Sequence, residues 1–69
     1  MRKAVEEAWF GQRALDLRYR AASGEVSDRR VKIQSIVMER SLTLLNCADA
    51  VTGEKRQYRL DRIERASVE

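Results

Sequence analysis

The sequence predicts a mainly β domain, a small five-stranded barrel with one N-terminal helix. Three observations lead there. Two separated stretches alternate apolar and charged residues: Leu15, Leu17 and Tyr19 fall on one side of an extended chain, with Asp16, Arg18 and Arg20 on the other. In the second stretch, Tyr58 and Leu60 lie opposite Gln57 and Arg59. Ser23-Gly24 and Thr52-Gly53 are turn signals that separate runs of strand length. At the N-terminus the spacing changes from two to that of a helix.

The helix is expected over residues 2–11, with Met1, Val5, Ala8 and Trp9 on its apolar face and Gly11 as the stop. Glu6 and Glu7 are placed near the positive end of its dipole. A helix this short is unstable alone, so it must dock, with Trp9 as a core anchor. Strand one is expected over 13–21. Strand two begins near Val26 and runs long, to Arg40; Val31 and Ile33 hold one parity, and near Ile36 both parities turn apolar. A strand that changes its buried face bends sharply. After the connection Glu39-Arg40-Ser41, strand three over 42–49 is apolar on both parities and is read as central. Strand four spans 55–60, Asp61-Arg62-Ile63 forms a tight 3₁₀ turn, and 64–68 is a last short strand.

Sixty-nine residues make one domain, 1–69, with the helix at 2–11 and the barrel at 13–68. A chain of this size buries roughly 60% of its unfolded surface, so the core is thin. One cysteine, Cys47, forms no internal disulfide, and the lack of histidine removes the usual zinc sets. A single thiol without a framework of bridges fits a cytoplasmic protein. Acidic Glu6 and Glu7 follow the basic N-terminus where a signal peptide would have an apolar run, and no apolar run is long enough to span a membrane. The net charge is +3, and eleven of the fourteen basic residues are arginine. Arginine carries a planar fork that pairs with phosphate or carboxylate and stacks on bases. A GC-rich genome also favours arginine codons, but it does not account for their placement on strands.

Two segments carry a family resemblance. The run from Ala14 through Arg20, followed by Ala22-Ser23-Gly24-Glu25-Val26-Ser27-Asp28-Arg29-Arg30-Val31, resembles the opening of a WYL domain. Thr52-Gly53-Glu54, followed by Arg56-Gln57-Tyr58-Arg59-Leu60-Asp61-Arg62-Ile63-Glu64, resembles its close. The likeness covers about 55 of the 69 residues. It departs from the family at the naming Trp-Tyr-Leu triplet, which falls near Thr43-Leu44-Leu45 and keeps only a leucine. A proline expected near Ile33-Gln34 is also missing. The resemblance implies an Sm-like, SH3-type barrel with an N-terminal helix. It also implies a ligand or nucleic-acid sensor of the kind that sits behind a winged-helix DNA-binding domain in transcription regulation.

Arg18, Arg20, Arg30, Arg59 and Arg62 are the residues that resemble the family's basic set. Together they would hold an anion: single-stranded DNA or RNA, or a nucleotide-like ligand. Tyr19 or Tyr58 at a rim would add a ring for stacking, although parity places both toward the core. The alternative is a solvated face in which Asp16, Asp28, Asp61 and Glu64 neutralise the arginines. A second reading, from another class, is a protein-interaction module that self-assembles into a homo-oligomer, using Ile36, Met38, Leu42, Leu44 and Leu45 as surplus apolar surface, residues that read equally as ordinary core. An enzyme is the least supported reading. There is no histidine for base catalysis, Cys47 alternates with leucines as a buried thiol does, no glycine-rich phosphate loop occurs, and no cofactor or metal is implied.

Overall fold

In the computed structural model, which describes residues 2–69, the chain runs α1 (Arg2–Gly11), β1 (Leu15–Arg20), β2 (Val26–Glu39), β3 (Leu42–Asp49) and β4 (Lys55–Arg59). A single 3₁₀ turn, Leu60–Arg62, leads into β5 (Ile63–Val68). The expected helix and five strands are all present; α1 and β3 have the expected bounds, and the other strand ends lie within two residues of those expected. Met1, expected on the helix face, lies outside the described residues.

All five strands form one antiparallel sheet in the order β4-β3-β2-β1-β5. No ladder joins β4 to β5 among the described residues, so these remain the two edges and the sheet is not closed by backbone pairing. A side chain spans the opening instead, where the Arg59 amide donates to the Tyr19 hydroxyl at 3.2 Å. The middle strand is β2, which corrects the expectation that β3 would be central. β3 pairs on both sides but lies second from the β4 edge.

The bend expected in β2 is a bulge. Ile33 pairs with Cys47 and Ser35 with Asn46, so Gln34 is the extra residue. An extra residue reverses which side chains face inward beyond it, and this is why the apolar parity changes on the way to Ile36. The β2–β3 connection is a two-residue hairpin at Arg40-Ser41 with φ of 48° and 71°. Positive φ at both central residues is the signature of the turn whose twist matches the strands, usually made by Asn-Gly.

The helix spans the expected residues, but its stop falls at Gln12 and not at Gly11. Gln12, at φ 54°, takes the left-handed position, and the Arg13 amide donates to Ala8 O at 2.9 Å while Gln12 N reaches Trp9 O at 3.4 Å. Glu6 and Glu7 lie beyond the first turn and do not complement its dipole as expected. Val5 and Ala8 enter the core, and Trp9 packs against it half-buried. The core is completed by Leu15, Leu17, Val31, Ile33, Leu45, Cys47, Tyr58 and Ile63.

Candidate anion-binding site

The outer face of β2, β1 and β5 carries rows of charge set by the strand register. Asp16 of β1 stands between Arg30 of β2 and Ser67 of β5, and Arg18 stands between Asp28 and Arg65. Directly opposed side chains on neighbouring strands lie close enough to pair. Arg18 grips Asp28 with two bonds of 2.9 and 3.1 Å, and Arg30 grips Asp16 with bonds of 2.8 and 3.3 Å. Glu69 reaches Arg30 from the strand end at 2.8 Å. The Arg30 fork holds the Asp16 carboxyl below its ordinary value, and Arg18 does the same for Asp28. All four side chains are exposed enough for water and salt to screen these pairs, so they are exchangeable rather than structural.

Arg29 and Arg65 join these residues around a shallow hollow of about 690 Å³. Neither forms an ion pair among the described residues. Four arginines and two aspartates therefore contribute to the hollow; register sets Arg18, Arg30 and Arg65 on its outer face, turns Arg29 toward the inner one, and leaves Arg65 as the outward cation without an acid of its own.

A second hollow of about 330 Å³ lies at the far end of β1, lined among others by Arg20, Asp61, Arg62 and Glu64. Its two cations face two carboxylates. Arg20 pairs with Glu64 and also donates to Gly24 O at 3.2 Å. Arg59, on β4, is folded onto Asp61 with bonds of 3.0 and 2.7 Å. Arg62 makes no ion pair among the described residues, but it shares its hollow with both acids.

The five arginines expected to form one cluster are therefore divided. Arg18 and Arg30 line the first hollow, Arg20 and Arg62 line the second, and Arg59 is held by Asp61. The physical reason is register: Arg18 stands between Asp28 and Arg65, whereas Arg20 lies past the β1–β5 register shift after Arg18, where Glu64 takes it up. The expectation of a rim aromatic is also corrected for Tyr58, which is 5% exposed and lies in the core. Tyr19 is half-buried and packs edge-on against Tyr58, with ring centres 4.8 Å apart and planes at 72°, while its hydroxyl holds the Arg59 amide. Neither ring is free to stack on a base.

Arg29 and Arg65 were not singled out from sequence. Arg29 shares the parity of Leu17 and reads as a core position, whereas Arg65 becomes a neighbour of Arg18 only through the β1–β5 pairing. The one cysteine is buried, and burial pushes its thiol up to about 11. No group of three or more metal-ligating side chains occurs among the described residues, and none of their helices is long and apolar enough to cross a membrane.

Comparison with protein families matches the WYL domain model over residues 2–68. Among solved structures, the chain is similar to proteasome accessory factor B/C (PafBC) of Arthrobacter aurescens, at a TM-score of 0.84 and 27% identity. The match takes in 96% of this chain and 10% of that one, so the chain spans about a tenth of that protein's length. Comparison with curated proteins finds no match.

Proposed function

The chain belongs to the WYL domain family, and from that premise we propose that it is a non-catalytic regulatory module that binds an anionic ligand, single-stranded nucleic acid or a nucleotide, in the hollow on β2, β1 and β5. Family membership and the likeness to PafBC support a regulatory ligand- or nucleic-acid-binding module. One observation supports this location: three outward arginines, Arg18, Arg30 and Arg65, face only two carboxylates in one hollow, and Arg65 has no ion-pair partner among the described residues. The volume is of the order that suits a nucleotide-sized group, since ligand pockets commonly run to about 300–1,000 Å³. Arg65 meets phosphate first. Arg18 and Arg30 exchange their carboxylates for it as the ligand seats, which requires no backbone movement.

The test is a fluorescence-anisotropy titration with short single-stranded DNA and RNA at several salt concentrations. Binding that weakens with salt, on a logarithmic slope of about −0.7 for each phosphate neutralised, supports the reading. No binding at low salt removes it.

A homo-oligomeric interaction module is the second reading, and the placement of Phe10 and Met38 favours it. They are 78% and 73% exposed beside a groove lined by Trp9, Ile36 and Leu60. Leu45, expected to add to this surface, is instead core, and Leu42 and Leu44 are half-buried. Light scattering at micromolar concentration decides it, because a monomer at all concentrations excludes assembly through this groove.

A further inference from the structure

The inner face of the sheet is apolar except at one end. Register places Arg29 with Leu17 and Val31, Asp49 with Val31 and Cys47, and Arg56 with Cys47 and Tyr58 on that same face. Alternation demands apolar side chains at all of these positions, yet three are charged. Two donors there have no partner among the described residues: the Nε of Arg56 and the hydroxyl of Tyr58 are both buried without a hydrogen bond. Buried polar atoms are almost always satisfied, and two exceptions side by side call for an acceptor such as a water or an anion.

The one nearby carboxylate does not serve them. Asp49 Oδ1 accepts the amides of Val51 and Thr52 at 2.8 and 3.1 Å, which braces the β3–β4 turn. Those two amides hold its carboxyl below the ordinary range, so it stays a charged acceptor already in use. Arg56 spans the boundary. One of its Nη atoms meets Glu54 at 3.2 Å toward solvent, while its Nε faces inward. Arg29 acts electrostatically on both Tyr58 and Asp49, and it also lines the outer hollow together with Val51. The set is rich in donors and short of acceptors, with two guanidiniums and a phenol against one committed carboxylate.

We infer that Arg29, Arg56 and Tyr58 form an inner anion subsite beneath the β3–β4 turn, which takes one phosphate group. The inference takes its ligand class from the anion-binding reading above and adds a second point of attachment, linked to the hollow through Arg29. A phosphate displaces Glu54 from Arg56, accepts from Nε, and accepts from the Tyr58 hydroxyl behind it. Charge-assisted bonds of this kind are the strong ones.

The experiment titrates the full chain with inorganic phosphate at low ionic strength, following the Arg56 Nε and Tyr58 ring resonances by NMR. Saturable shifts at both are expected. Tyr58→Phe keeps the ring and deletes only the orphaned hydroxyl, so it folds at least as well as the parent. It is expected to bind phosphate about tenfold more weakly. Arg65→Ala, in the outer hollow, leaves the phosphate shifts intact and weakens a short thymidylate oligonucleotide. Unmoved resonances, or equal phosphate affinity in Tyr58→Phe, overturn the inner subsite and leave Arg56 as an inward charge that guards an edge strand. Phosphate shifts without oligonucleotide binding uphold the subsite and reject the outer reading, so the two fail separately.

Discussion

The two hollows on the outer surface hold the same kinds of residue and differ in what they can bind. The one at Arg18, Arg30 and Arg65 carries three outward cations and two acids, while the one at Arg20 and Arg62 carries two of each. Both lie on β1, only a few residues apart, so arginine content does not separate them. The partner strands do. β2 and β5 bring Arg30 and Arg65 to the first hollow, whereas the second takes Asp61 and Glu64 from the chain around the 3₁₀ turn. An arginine-rich strand makes an anion site only where its neighbours fail to neutralise it.

The most severe way to break this comparison is to remove the strand the hollows share. Leu15 is fully buried at the start of β1. Leu15→Ala is expected to cost about 2–5 kcal/mol, read as a shift in the denaturant midpoint. In a domain this small that approaches total stability, so both hollows are lost together.

A sharper comparison uses one arginine from each hollow. Arg65→Ala is expected to lower oligonucleotide affinity on the order of tenfold at low salt and to reduce the magnitude of the salt slope by about 0.7. Arg62→Ala, whose hollow is already balanced, is expected to leave both nearly unchanged. Equal losses in the two variants would show that binding follows net charge and not the hollow. Asp28→Asn releases Arg18 and is expected to raise affinity about threefold, whereas Glu64→Gln, which releases Arg20 in the balanced hollow, changes it less.

Acidity acts on both hollows, because Arg59 likewise holds the Asp61 carboxyl down beside the second. Asp16 and Asp28 titrate below their ordinary value of 3.8 in the folded protein because Arg30 and Arg18 bind the charged forms. A depressed folded value means that their contribution to stability is present above about 3.8 and is lost as pH falls through the folded values. Exposure keeps that loss small. Protonation also frees two guanidiniums, so affinity for a strong-acid anion such as inorganic sulfate is expected to rise below pH 3.8 while stability falls. Titrations at pH 6 and at the acid limit of folding measure both.

The smallest effect lies outside both hollows. Ser41 occupies a left-handed position at φ 71°, where glycine is unstrained. Ser41→Gly is expected to raise stability by about 1 kcal/mol and to leave anion affinity unchanged.

The two alternating segments, the helix at 2–11 and the two Gly-containing turns were legible by themselves, because periodicity and backbone permissiveness are local properties. So was the bend in β2, since the parity of its apolar residues shifts around Gln34. The helix stop was misplaced because Gln12 takes a conformation expected of glycine. The resemblance to the WYL family was also carried by local runs of residues.

Where the charges meet was not local. Arg65 became a site residue only by pairing with Arg18 across β1 and β5, strands far apart in sequence. Asp16 and Asp28 became partners and not bystanders through a register that no single strand specifies. Arg29 and Arg56 have the parity of core residues, and only the folded sheet places them at its polar end. Sequence alone determined which residues face in or out along each strand, because that depends on a two-residue repeat. Tertiary structure decided which charges remain unpaired, because electrostatic pairing depends on distance between strands and not on order along the chain.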